Sequence, residues 1–190
     1  MKRFVTTLSA ALLLTLVGTL QAGDLKSGLQ PGDELGAFDV EKCAGAVNDG
    51  KEVGANFCYR CMLGNKPVVM VFARKADERL AELVKHLEEE ITEHEEQKLS
   101  SFVNLLGKDA DALKSEAKDF GAKHKLENVA IVVPQDNENG PEDYKINPEA
   151  ETTVLIYRQG KVEANHAFAP GELDEKGIQA IIADTDKIVN

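Results

Sequence analysis

Two cysteines separated by two residues, Cys58 and Cys61, form the pattern in this chain that is best suited to chemistry. Each thiol of a C-x-x-C pair can attack a mixed disulfide formed by the other, so the spacing suits thiol–disulfide exchange. Arg60 lies between the cysteines and Lys66 follows closely, and nearby cations favour a thiolate. We therefore predict Cys58 and Cys61 as catalytic residues, with either one as the attacking thiolate.

A permanent structural bridge is the main alternative for these cysteines. The chain has three cysteines, so an oxidising compartment allows one disulfide and leaves one thiol over. Either Cys58 and Cys61 or Cys43 and Cys58 could pair and hold the segment that precedes the apolar run 67–72. A bridge from Cys43 to Cys58 would close a loop of about 15 residues and contribute about 3 kcal/mol in the chain-entropy model. The spacing leaves all these pairings open.

Metal binding is a third use of the same side chains. The three cysteines could supply thiolates to Cu(I) or Zn(II), with Met62 as a soft fourth ligand. A second candidate set, His86, Glu90 and His94, follows helical spacing along an acidic stretch. Such a stretch is far more often a solvated charged face than a metal site. We therefore predict neither a metal nor another cofactor.

The start of the chain has the order of a secretory signal peptide. A positively charged start and an apolar core over residues 10–20 precede a small-residue exit, which predicts a signal peptide of residues 1–22 cleaved after Ala22. An uncleaved membrane anchor is the alternative, but the core is shorter than the ~20 residues of a spanning helix. No second apolar segment of that kind follows, so no membrane span is expected after cleavage. We expect an exported protein, periplasmic or extracellular, with one domain over residues 23–190.

The charge of the chain limits its partners. Lysine and arginine number 22 against 33 aspartate and glutamate residues, giving a formal net charge of −11 at pH 7. This acidity argues against nucleic acid or an anionic membrane as a partner. A protein thiol or disulfide is the partner that the cysteines predict, and the oligomeric state stays open.

The order of predicted elements indicates the fold. Residues 66–73 are almost continuously apolar, which is typical of a central strand buried on both faces, and the C-x-x-C stands before this strand. Other strands are predicted at 35–40, 101–106, 128–133, 152–157 and 162–168, with a tight turn between the last two. Helices are predicted at 77–98, after the N-cap Asp109, and at 173–188. A loop over 41–54 is expected to carry Cys43, and the acidic half of the first helix is expected to project into water.

Strands that alternate with helices and close with a hairpin and a helix predict an α/β fold, with a mixed central sheet flanked by helices on both faces. Three stretches resemble the peroxiredoxin and thiol-reductase branch of the thioredoxin-like superfamily. They are LQPGD at 29–33 leading to Phe38, NKPVVMVF at 65–72, and TTVLIYRQGKV at 152–162. The resemblance covers nearly all of residues 23–190 and implies a thioredoxin-like fold.

The catalytic positions of that branch are not matched in this chain. The resemblance implies a cysteine directly after the central strand, where this chain has Arg74 and Lys75, and a cis-proline before the hairpin strand, where it has Glu151. A standard peroxidase is therefore not expected. The main prediction is thiol–disulfide exchange through the displaced C-x-x-C. The alternatives are a non-catalytic binding or scaffold domain with a structural disulfide and, less favoured, a thiolate metal carrier.

Overall fold

A seven-stranded mixed sheet lies at the centre of residues 25–190, the part of the chain that the computed structural model describes. The predicted signal peptide lies outside these residues. The strands are β1 (Val40–Ala44), β2 (Asn56–Phe57), β3 (Val68–Ala73), β4 (Ser100–Leu105), β5 (Val129–Pro134), β6 (Thr152–Arg158) and β7 (Lys161–Phe168). Their order across the sheet is β2-β1-β5-β4-β3-β6-β7. The β3–β4 and β4–β5 pairs are parallel and the others are antiparallel.

Helices cover both faces of the sheet, as the element order predicts. They are α1 (Tyr59–Leu63), α2 (Glu78–Glu93), α3 (Ala110–His124) and α4 (Glu175–Val189), with a 3-10 turn at Glu142–Tyr144. The three long helices pack on one face, whereas α1 and the 3-10 turn pack on the other. No helix within residues 25–190 is long and apolar enough to cross a membrane. The prediction of an α/β fold with a mixed central sheet is confirmed.

The central strand β3 has the burial that its sequence predicts. All six of its residues are buried, with Val69, Val71 and Ala73 in the core cluster beneath the long helices. The alternate residues, Val68, Met70 and Phe72, belong to the cluster on the α1 face. Side chains of a strand alternate between the two faces of its sheet, so this strand contributes to both halves of the core.

The first strand and the loop after it were predicted incorrectly. The strand β1 occupies residues 40–44 rather than 35–40, and Cys43 lies within it rather than in a loop. β1 is held by antiparallel pairing with β5, whose apolar residues lie about 90 residues away along the chain. The prediction failed because β1 itself contains no apolar run, so its conformation depends on that distant partner. The short elements α1 and β2 were also not predicted.

The acidic half of α2 does not simply project into water. The Glu88 carboxylate accepts hydrogen bonds from the backbone N–H groups of Glu127, Asn128 and Val129 at 3.1, 2.9 and 2.8 Å. These contacts join α2 to the start of β5 and satisfy three consecutive backbone donors. Glu88 is therefore structural, while Glu89 and the end of the helix are exposed.

Candidate functional site

A disulfide joins Cys58 and Cys61 at the first turn of α1, with their Cα atoms 5.2 Å apart. Cys58 is the N-cap residue, and its Sγ accepts a hydrogen bond from the backbone N–H of Cys61 at 3.0 Å. Cys61 is exposed to solvent, whereas Cys58 is half-buried. Of the pairings that the sequence leaves open, the structure therefore has the one within the C-x-x-C, and Cys61 lies on the surface.

The third cysteine, Cys43, is remote from this pair. It is 2% exposed and belongs to the core cluster beneath the long helices, whereas α1 packs on the opposite face of the sheet. Burial, with a smaller contribution from the nearby Glu41 carboxylate, raises the pKa of the Cys43 thiol to about 11. The predicted alternative of a Cys43–Cys58 bridge is wrong, because the sheet lies between the two residues.

Neither candidate metal set is assembled. His86 contacts Glu89 at 3.4 Å and His94 contacts Glu90 at 3.5 Å, rather than all converging on one point. Across residues 25–190, no group of three histidine, cysteine, aspartate or glutamate side chains is placed to hold a metal ion. The separation of Cys43 from the other cysteines rules out the three-thiolate arrangement in this conformation.

Tyr59 anchors the helix that carries the disulfide. Its ring is buried and stacks on Phe102 of β4, with ring centroids 5.1 Å apart, and it also packs against Phe57 at 4.5 Å. Its hydroxyl donates a hydrogen bond to the Asp49 carboxylate. Burial of an aromatic ring of this size is worth about 2 to 3 kcal/mol. Tyr59 therefore sets the position of its neighbour, Cys58.

A buried lysine, Lys42, contacts the same Asp49 carboxylate as Tyr59. The Lys42 side chain is 1% exposed, and its Nζ lies 2.7 Å from Asp49 and donates to the carbonyl oxygens of Ala46 and Lys51 at 2.9 and 2.8 Å. A buried ammonium needs such a full set of acceptors to offset its lost hydration. The network links β1, the segment that follows it, and α1. Lys42 and Asp49 could not be identified from the sequence, because no local pattern marks a lysine for burial.

Arg60 extends from α1 to the turn between β6 and β7. Its Nη2 lies so close to Gly160 that a Cβ atom at that residue would be 2.2 Å from it. Among the described residues, its buried Nε has no hydrogen-bond partner. Arg60 therefore docks α1 on the hairpin, in addition to standing between the two cysteines in sequence.

The residues that follow the C-terminal end of β3 make polar contacts and include no cysteine. The Arg74 guanidinium donates to the carbonyl oxygens of Ala150 and Glu138 at 3.0 and 2.8 Å. The Lys75 ammonium pairs with the Glu151 carboxylate at 2.5 Å. These groups occupy the position where the resemblance implies a redox cysteine, and they hold the start of β6 instead.

A cleft of about 320 Å³ opens beside α1. Met62, which directly follows Cys61, contributes to its wall, together with Asp49, Lys66 and Leu99. Concave surfaces with mixed apolar and polar walls are common features of binding sites. The exposed cysteine thus belongs to a turn of helix that borders a cleft.

Comparison of this chain with protein-family profiles and with curated proteins finds no match. Solved structures with similar folds include peroxidoxin BcpB from Mycobacterium tuberculosis, with 14% identity over 85% of this chain and 99% of that one and a TM-score of 0.60. The AhpC protein of Mycobacterium tuberculosis matches with 12% identity, the same coverages and a TM-score of 0.60. The thioredoxin domain of a thiol-disulfide oxidoreductase from Bacteroides vulgatus matches with 13% identity, 85% and 99% coverage and a TM-score of 0.59. At such identities the likeness establishes the fold, which is thioredoxin-like.

Proposed function

We propose that this protein carries out thiol–disulfide exchange through Cys58 and Cys61. The observation that carries the proposal is the disulfide between them at the start of α1, with Cys61 exposed to solvent. A disulfide that an incoming thiolate can reach is a competent oxidant, and its reduced dithiol is a competent reductant. The reacting partner is a protein thiol or disulfide, and the reaction needs no further cofactor because the sulfur atoms carry the electrons.

The proposed site lies at the N-terminal end of β3. The thioredoxin-like branch that the chain resembles uses the opposite end of that strand, where this protein has Arg74 and Lys75. The fold supports exchange at the new location because α1 is fixed by Tyr59 on one side and by Arg60 on the other. A rigidly held pair keeps the two sulfurs close in the reduced state, which favours rapid closure of the disulfide.

The midpoint potential of the Cys58–Cys61 couple tests this proposal. The full-length mature protein is equilibrated in a series of glutathione and dithiothreitol redox buffers, quenched in acid, alkylated and mapped by mass spectrometry. A midpoint between about −270 and −120 mV, the span of known oxidoreductases, is expected. A couple that stays oxidised below about −300 mV would overturn the proposal.

A non-catalytic binding or scaffold domain is the second candidate function. The polar contacts of Arg74 and Lys75 at the usual site favour it, since they show a member of this fold without a cysteine there. In that case the Cys58–Cys61 bridge serves only to close the first turn of α1. A potential below about −300 mV, together with no turnover of a peptide disulfide, would favour this alternative.

We also propose that the protein is exported, with residues 1–22 removed as a signal peptide and residues 23–190 forming the mature domain. The charged start and apolar core of the leader support this, as does a disulfide, which persists in oxidising compartments. Expression of the full chain in a bacterial host, fractionation and N-terminal sequencing test it. Mature protein beginning at Gly23 in the periplasm or medium is expected, and an uncleaved cytoplasmic product would contradict it.

A further inference from the structure

We infer that the exchange reaction passes through a mixed disulfide on Cys61, and that Cys58 is the sulfur that leaves and later returns. The inference rests on the proposed function and assigns distinct roles to the two cysteines, which the sequence leaves interchangeable. Two observations carry it: the different exposure of the two cysteines and a hydrogen bond that only one of their sulfurs accepts.

The two cysteines differ in how accessible they are to an attacking thiolate. A thiolate attacks a disulfide along the axis of the S–S bond, so the attacked sulfur must be open to a partner. Cys61 is exposed, whereas Cys58 is half-buried and lies between the half-buried Phe57 and the buried Tyr59. An incoming chain therefore meets Cys61 first.

The second observation concerns the leaving group. The backbone N–H of Cys61 donates to Cys58 Sγ at 3.0 Å, and no described residue donates a hydrogen bond to Cys61 Sγ. A hydrogen bond strengthens when its acceptor becomes charged, so it stabilises a thiolate on Cys58 more than on Cys61. Because the better-stabilised thiolate leaves faster, attack on Cys61 with departure of Cys58 is the favoured route.

The exchange consists of two successive displacements at sulfur. A substrate thiolate attacks Cys61 Sγ, the bond between Cys61 and Cys58 breaks, and Cys58 keeps the electron pair as a thiolate. A second substrate thiolate then attacks the substrate sulfur of the mixed disulfide and releases Cys61 as a thiolate. The substrate dithiol is oxidised to a disulfide and the Cys58–Cys61 pair is reduced, with protons exchanged with water. In the reverse direction Cys61 attacks a substrate disulfide and Cys58 resolves it.

The sequence allows a direct test, because trypsin cleaves after Arg60 and so places Cys58 and Cys61 on different peptides. The oxidised wild-type protein is mixed with glutathione as the probe thiol, quenched in acid after short intervals, alkylated with N-ethylmaleimide and digested. Glutathione is expected on the Cys61 peptide at least tenfold more often than on the Cys58 peptide, with alkylated Cys58 as its counterpart. Equal labelling, or glutathione mainly on Cys58, overturns the inference while leaving exchange itself intact.

A second measurement tests the leaving-group argument separately. The pKa of Cys58 in the Cys61→Ser variant and of Cys61 in the Cys58→Ser variant are read from thiolate absorbance at 240 nm. Cys58 is expected to have the lower pKa, since residue 61 still donates its backbone N–H in the Cys61→Ser variant. A lower pKa for Cys61 overturns the assigned roles. A midpoint potential outside the oxidoreductase range, by contrast, overturns the proposed function and the inference together.

Discussion

The backbone N–H of Arg74 donates a hydrogen bond to the carbonyl oxygen of Glu151 at 2.9 Å, which joins the end of β3 to the start of β6. The Lys75 ammonium also pairs with the Glu151 carboxylate. In the branch that the sequence resembles, a redox cysteine and a proline meet at this place. Here both positions make structural contacts, so the proposed exchange is assigned to the Cys58–Cys61 pair instead.

The ion pair between Lys75 and Glu151 is predicted to have no role in exchange. Lys75→Ala and Glu151→Gln should leave the rate of reduction of a peptide disulfide within twofold of wild type, because neither side chain is near α1. Cys61→Ser, the matched loss-of-function control, should abolish turnover. The initial rate of reduction of a fluorescent disulfide peptide is measured for all three variants. A tenfold lower rate in the Lys75 or Glu151 variant would show that the C-terminal end of β3 takes part in exchange.

Cys43 is predicted to be unreactive in the folded protein. Its thiol is buried and its pKa is raised to about 11, so at pH 8 the thiol form dominates strongly over the thiolate. Iodoacetamide at pH 8 should therefore leave Cys43 unmodified in native protein and modify it fully in 6 M guanidinium chloride. Rapid labelling of native Cys43 would show that β1 opens readily.

The Lys42–Asp49–Tyr59 network is predicted to make unequal contributions to stability. Tyr59→Phe removes one hydrogen bond to a carboxylate and should lower the free energy of unfolding by about 2 kcal/mol. Asp49→Ala leaves the Lys42 ammonium buried without its counter-charge and should cost about 3 to 5 kcal/mol. Urea denaturation with the disulfide intact measures both variants.

The double variant Lys42→Met with Asp49→Leu is the control for this network. Replacing both charges by apolar side chains removes the unpaired ammonium, so it should recover most of the stability lost in Asp49→Ala. If the double variant is instead less stable than Asp49→Ala, the ion pair is not the source of the loss.

Gly160 is predicted to be required by the Arg60 side chain as well as by its own backbone. Gly160→Ala places a Cβ 2.2 Å from Arg60 Nη2, at a φ of +74°. Gly171 has a similar φ of +77° with open space around it, so Gly171→Ala measures the backbone strain alone, at about 1 kcal/mol. Gly160→Ala should cost clearly more than Gly171→Ala in thermal or urea unfolding.

The Arg60→Ala background separates the two effects at Gly160. With the guanidinium removed, the cost of Gly160→Ala should fall to that of Gly171→Ala. An unchanged cost in that background would show that the turn itself, rather than its contact with α1, requires glycine at this position.

The sequence determined those elements whose signal is local. The apolar run ending at Phe72 predicted β3, because a strand buried on both faces carries apolar residues at every position. Asp109 was predicted as an N-cap, and it accepts the backbone N–H groups of Asp111 and Ala112. The hairpin of β6 and β7 was predicted from its two β-rich runs and the short turn between them.

Only the tertiary structure decided the site. The C-x-x-C is visible in the sequence, but the pairing of Cys58 with Cys61 rather than with Cys43 depends on the sheet that separates the two faces. The burial of Lys42 depends likewise on Asp49 and on carbonyl oxygens brought around it by folding. Periodicity along the chain records which faces of an element are buried, whereas the partners on those faces are set by long-range contacts that leave no local pattern.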